Sequence, residues 1–126
     1  VGTETVTLRD VMTQPVITAT PETSVCKAAQ QMAIARVGCV LIVDADGLLI
    51  GVFTERDLLR MFTTRLDPPL DQPVAEHMSL HPLTLDPDVP VATGRRFMKQ
   101  NRIGHLPLVE SGRLVGLVSV RDLPSC

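Results

Sequence analysis

The sequence predicts a mixed α/β (α+β) fold in which one small unit is used twice. Two observations carry this expectation. The chain of 126 residues superimposes on itself after a shift of 66 positions, and both copies run through extended and helical patterns in the same order. A unit of about 55 residues buries too little apolar surface to stand alone, so the two copies are expected to pack together about a pseudo-twofold axis, with two related clefts between them.

The repeat is an ordered series of matches. Met12-Thr13 falls on Met78-Ser79, Ile17-Thr18 on Leu83-Thr84, Pro21 on Pro87, Val25 on Val91, Met32 on Met98, Arg36 on Arg102, Gly38 on Gly104 and Val43 on Val109. One residue then drops out, and at a shift of 65 the segment Gly51-Val52-Phe53-Thr54-Glu55-Arg56-Asp57-Leu58 meets Gly116-Leu117-Val118-Ser119-Val120-Arg121-Asp122-Leu123. The first copy is placed at residues 8–63, a proline-bearing linker at 64–73 and the second copy at 74–123.

Each copy opens on a short extended piece, Val16–Thr18 or Leu83–Leu85, next to a proline that favours extension before it. A helix follows. Val25, Ala28, Ala29 and Met32 share one helical face, and Ser24 stands where it can cap. Val91, Gly94, Arg95 and Met98 hold the same places in the second copy, a weaker face to which Phe97 adds. The apolar runs Cys39–Val43 and Leu48–Phe53 read as strands joined by Asp44-Ala45-Asp46-Gly47, which carries a hairpin signal. Leu106–Val109 and Leu114–Val118 repeat this around Glu110-Ser111-Gly112-Arg113. Thr54 and Ser119 then start a last helix, giving strand, helix, strand, strand, helix in each copy. Strands buried on both faces require covering helices.

Composition narrows the function. Apolar residues make up 44% and charged residues 21% of a chain with net charge −2. There is no basic excess for neutralising phosphates, so no nucleic-acid partner is expected. No apolar stretch reaches the roughly 20 residues of a membrane span, and no secretory signal precedes the first repeat. Three cysteines, Cys26, Cys39 and Cys126, form no paired framework, which fits a reducing cytoplasm. With three Phe and no Tyr or Trp, a planar ligand would be held by aliphatic walls. Met12 and Met78 are either core or such walls.

No catalytic constellation is present. The chain lacks Gly-x-Gly-x-x-Gly, the phosphate-loop Gly-Lys-Ser/Thr and Gly-x-Ser-x-Gly, so it is not expected to be an enzyme or to carry a catalytic cofactor. His77 and His81 have the i, i+4 spacing of metal ligands, but Pro82 follows and no ligand cluster accompanies them, so no metal is expected. Cys39, inside an apolar run, reads as a structural thiol.

The residues that carry a binding signal are Thr54 with Asp57 and Ser119 with Asp122. Thr-x-x-Asp is a capping box in its own right. The same geometry, a hydroxyl and free N–H groups at a helix N-terminus with a carboxylate one turn in, suits a phosphate and a ribose diol. Arg56 and Arg121 stand beside the two acids, as solvated side chains or as phosphate contacts. Gly38 and Gly104 allow close backbone approach or unusual dihedrals, or serve only as helix-to-strand turns.

Val-Met-Thr-x-Pro, Thr-x-Thr-Pro, a Met-containing helix, a strand pair and Gly-Val-Phe-Thr-Glu-Arg-Asp together resemble the CBS domain, and Ile103-Gly104-His105-Leu106-Pro107-Leu108-Val109 extends the likeness to the second copy. The resemblance implies a Bateman module, a CBS pair with ligand clefts between its repeats. Such modules take AMP, ADP, ATP or S-adenosylmethionine as regulatory ligand and often form homodimers. It implies that Asp57 and Asp122 hold ribose and that Thr54 and Ser119 lie by phosphate. The Asp57 site would be completed by Leu83, Ile103, Gly104, His105 and Arg121, and the Asp122 site by Ile17, Val37, Gly38, Cys39 and Arg56. Many relatives carry a basic residue or histidine where Cys39 stands, so the Asp57 site, with His105, is the better phosphate site. The expected role is a sensor that couples ligand to a partner or output domain, and the output is not identifiable. The alternative is a ligand-free dimerisation module whose hydroxyl–acid pairs are caps.

Overall fold

The structure is a computed structural model that describes residues 5–14, 16–64 and 66–123, with Asp122 described by its backbone alone. The chain forms two compact units, Ile17–Pro82 and a second assembled from Val1–Val16 and Leu83–Cys126.

In the Ile17–Pro82 unit, helix α2 (Val25–Ala35) follows the short strand β1 (Thr18–Ala19), and the hairpin of β2 (Cys39–Val43) and β3 (Leu49–Thr54) leads into α3 (Glu55–Thr64). The unit closes with a 3₁₀ turn at Val74–Glu76 and strand β4 (Ser79–Leu80). The sheet runs β1-β2-β3-β4. Thr18 faces Leu41 in parallel, Val40 faces Phe53 and Val52 faces Ser79 in antiparallel pairs. The expected face of α2 is the buried one. Val25, Ala28 and Met32 pack with Val40, Ile42, Phe53, Met61 and Val74.

Every N–H of the first turn of α2 has a partner, as a buried helix end requires. Val25 and Cys26 donate to the carbonyls of Gln72 (2.9 Å) and Leu70 (2.8 Å), and Ala28 to that of Ser24 (3.0 Å). Lys27 N–H donates to Ser24 Oγ at 3.1 Å, so Ser24 is the cap. The end of the proline-bearing linker is therefore part of the helix cap. In the hairpin, Asp44 Oδ1 accepts from the N–H groups of Asp46 and Leu48, both at 2.9 Å.

The other unit begins with a short helix α1 (Leu8–Val11) and contains α4 (Val91–Asn101) and the hairpin β5 (His105–Glu110) and β6 (Arg113–Ser119). Val91, Gly94 and Met98 of α4 are buried. Leu8, Leu106, Leu108 and Val118 complete its core. Ser111 and Gly112, at φ 52° and 80°, make a two-residue turn of the twist that hairpins favour.

Four expectations change. Leu83–Leu85 is not a strand in this unit: its pairing is one parallel bridge, Leu85 to Leu108. The last helix of the second copy is a 3₁₀ turn, Val120–Asp122. Elements α1 and β4 arise in the segments that lead each copy, and those leaders dock on the unit that holds the other copy's hairpin: Ser79 pairs with Val52 of β3, and Thr13 bridges Leu117 of β6. Finally, the left-handed residues at the helix ends are Arg36 (φ 57°) and Arg102 (φ 55°) rather than Gly38 and Gly104. The C-cap falls two residues before each glycine, where the chain must reverse to return an N–H to the last turn.

Candidate functional site

The hydroxyl–acid motif of the first copy sits where β3 becomes α3. Thr54 is the last residue of β3 and pairs with Cys39 of β2. Glu55 N–H donates to the Gly38 carbonyl at 3.0 Å, so strand pairing sets Val37-Gly38-Cys39 directly beside the helix start. Thr54 N–H and its hydroxyl donate to Asp57 Oδ2 at 2.9 and 3.0 Å, and Asp57 N–H donates to Thr54 Oγ1 at 3.2 Å. This is a complete capping box. It fixes the Asp57 carboxylate, whose side chain is 15% exposed, and turns Oδ1 toward the exposed Arg60 guanidinium at 3.9 Å.

Cys39 is 1% exposed. Burial pushes its thiol up to about 12, because the thiolate would lose its hydration. It lines the strand as a neutral sulfur, as its apolar run suggested. Ile17 packs against the core of this unit and its carbonyl accepts from Leu41 N–H at 3.0 Å. Arg56 is exposed.

The second motif has the same backbone frame. Ser119 pairs with His105, and Val120 N–H donates to the Gly104 carbonyl at 2.9 Å. Ser119 Oγ accepts from Arg121 N–H at 3.3 Å. Arg121 and Leu83 are exposed, Ile103 packs against the core, and a Cβ at Gly104 would meet nothing within 4 Å. The Asp122 side chain lies outside the described residues. Thr54 opens a ten-residue helix, whose aligned peptide dipoles concentrate positive potential at its first turn. Ser119 opens a single 3₁₀ turn of three residues.

Of the residues expected to serve the two sites, Ile17, Val37, Gly38, Cys39, Thr54, Arg56 and Asp57 lie in the Ile17–Pro82 unit, and Leu83, Ile103, Gly104, His105, Ser119, Arg121 and Asp122 in the other. His77 Nε2 is hydrogen-bonded to Gln72 Oε1 at 2.8 Å, while His81 is exposed. Sequence reasoning passed over a different cluster. Asp86, Asp88 and Glu110 converge closely enough to hold a cation, but Arg9 fills that role: its Nε lies 3.0 Å from Asp88 Oδ1 and its Nη2 bonds Glu110. The guanidinium holds the Asp88 carboxyl below the usual carboxylate range. The first copy keeps acids at two of the matching positions, Glu22 and Asp44, but Ala75 stands at the position matching Arg9.

The family model of the CBS domain matches residues 8–63 and 74–123. Among curated relatives, the CBS domain-containing protein YhcV of Bacillus subtilis is 33% identical over 116 residues, which covers 92% of this chain and 81% of that protein. A CBS domain protein of Pyrobaculum aerophilum, PAE2072, solved in complex with AMP, superimposes with a TM-score of 0.85 at 29% identity, covering 94% of this chain and 90% of that one. The CBS domain pair of protein MJ0100, solved with 5′-methylthioadenosine and S-adenosyl-L-methionine, gives a TM-score of 0.85 at 26% identity over 94% and 93% of the two chains. With both halves matched by one family model and the repeat evident in sequence and backbone alike, the chain belongs to the CBS-domain family, as a tandem pair.

Proposed function

We propose that this chain is a regulatory module that binds an adenosyl ligand, AMP, ADP, ATP or S-adenosylmethionine, couples its binding to a partner or output domain, and catalyses no reaction. The observation that carries this reading is the Thr54–Asp57 box. Two hydrogen bonds to Oδ2 fix its carboxylate and a third, from Asp57 N–H to Thr54 Oγ1, closes the box, which leaves Oδ1 as the acceptor for a ribose diol, next to a helix N-terminus suited to phosphate. Relatives solved with AMP and with S-adenosyl-L-methionine support the ligand class. Gly104 adds support, since no packing partner within 4 Å requires a glycine there.

Of the two motifs, Thr54–Asp57 is the site for a phosphorylated ligand. The ten-residue helix behind it supplies a dipole that favours negative charge at its first turn. A ligand with less negative charge suits the Ser119–Asp122 motif better. The test is titration calorimetry with the four adenosyl ligands on the wild-type chain and on Asp57→Ala and Asp122→Ala. AMP is expected to bind, and Asp57→Ala to abolish its tight site. Failure of all four at millimolar concentration contradicts the reading.

Dimerisation is favoured by a separate observation. Leu59 and Phe62, one turn apart on α3, are 65% and 54% exposed, and Ile34 on α2 is 85% exposed. Apolar surface of this kind is where a homodimer buries a helix face. Sedimentation is expected to show a dimer that Phe62→Glu dissociates. A monomeric wild-type chain contradicts it. A cytoplasmic setting is part of the same proposal and accords with the unpaired thiols of Cys26 and Cys39.

A further inference from the structure

The segments that lead the two repeats are seated by the same main-chain hydrogen bonds. Val91 N–H donates to the Val6 carbonyl at 2.9 Å, and in the other unit Val25 N–H donates to that of Gln72 at 2.9 Å. Leu8 N–H donates to Val89 (2.9 Å) as Val74 N–H donates to Thr23 (2.7 Å). Arg9 N–H donates to Pro87 (2.8 Å) as Ala75 N–H donates to Pro21 (3.1 Å). Main-chain bonds carry no side-chain identity, so the backbone alone would accept either leader in either seat.

The side chains are not interchangeable. Leu8, with no exposed surface, lies against Gly94 of α4, where a Cβ would fall 2.7 Å from Leu8 Cδ2, 3.0 Å from Cδ1 and 3.2 Å from Cγ. Both methyl groups would be met at 3.0 Å or less and the residue is fully enclosed, so the side chain has little room to give way. In the matching seat the roles are reversed in size. Ala28 of α2 supplies the Cβ that Gly94 lacks, and the smaller Val74 takes the place of Leu8, both fully buried. Charge adds a second difference, since Arg9 reaches Asp88 and Glu110 where Ala75 carries no cation.

We infer that Leu8–Gly94 and Val74–Ala28 form two size-complementary locks that assign each leader to one seat, so that Gly94 is a specificity-determining residue for the docking of the chain's own N-terminal segment. A leucine brought to the Ala28 seat would overlap the alanine Cβ, and a valine brought to the Gly94 seat would leave a void. The inference stands independently of ligand binding.

The test is thermal unfolding of the full chain followed by circular dichroism. Gly94→Ala is expected to lower Tm by about 3–6 °C, although alanine is the better helix former. Leu8→Val also lowers Tm, and Leu8→Val/Gly94→Ala regains most of the loss. Exchange of residues 6–9 with residues 72–75 lowers Tm, and adding Ala28→Gly with Gly94→Ala to the exchanged chain restores the part due to size, leaving the loss of the Arg9 pairs. If Gly94→Ala fails to fold, a folded double variant upholds the inference and an unfolded one overturns it. A neutral or stabilising Gly94→Ala, additive single effects, or an exchanged chain that melts with wild type likewise overturns it.

Discussion

Asp57 performs two tasks with one carboxylate. Oδ2 closes the cap on α3 through Thr54, and Oδ1 is held in position by that closure. A carboxylate so engaged is rigid in advance, which would lower the ordering cost of the binding proposed for it. Cys39, paired with Thr54 across the hairpin, is a residue whose chemistry is suppressed. With its thiol pushed up to about 12 from an ordinary 9.0, the folded state holds the proton more tightly than the unfolded state does. Its stabilising effect is therefore complete below pH 9 and is lost as pH rises from there toward 12, by at most about 1.4 kcal/mol per pH unit. Urea midpoints at pH 8 and pH 11 are expected to show this alkaline loss in wild type and a smaller loss in Cys39→Ala. Equal losses in both would remove Cys39 as the cause. The capping residues were legible in sequence because Ser24 and Thr54 act on groups within three positions. The Arg9 cluster was not, since its partners lie 79 and 101 residues away.

At the scale of elements, the β-hairpins and central helices follow from local pattern, while the leaders do not. Cys39–Val43 is a continuous apolar run and forms β2 over that same span. Asp44 and Gly47 shape its turn. The leaders gain their structure from partners distant in sequence. Met78 packs on Gly51 and Met12 on Gly116, where an added Cβ would lie 2.9 Å from the methionine Cγ in both cases. Each methionine thus packs against a hairpin glycine of its own unit, and that glycine is required by close approach. Gly51→Ala and Gly116→Ala are each expected to cost about 1–3 kcal/mol by overpacking, and truncation of the facing Met to Ala should recover part of it. Urea denaturation measures both; a glycine substitution without cost would contradict the close packing. The 3₁₀ form of Val120–Asp122 could not be foreseen from the motif. Ser119-Val120-Arg121-Asp122 matches Thr54-Glu55-Arg56-Asp57 in its hydroxyl, arginine and acid, and four residues that can start a helix do not decide how far it extends.

At the scale of the molecule, the internal repeat explains most of the architecture and its departures explain the rest. The Ile17–Pro82 unit is one continuous stretch whose leader follows its hairpin, whereas the other unit joins a leader from Val1–Val16 to a hairpin from Leu83–Cys126. The two hydroxyl–acid motifs share a backbone frame, and at Thr54–Asp57 the capping box is complete and a ten-residue helix stands behind it. Those features underlie our central proposal, that the chain binds a phosphorylated adenosyl ligand at the Thr54–Asp57 motif. Calorimetry with AMP, comparing wild type with Asp57→Ala and Asp122→Ala, tests it most directly. Binding that survives Asp122→Ala and disappears in a folded Asp57→Ala is the predicted result. Absence of binding to wild type, or tight binding retained in Asp57→Ala, would contradict it.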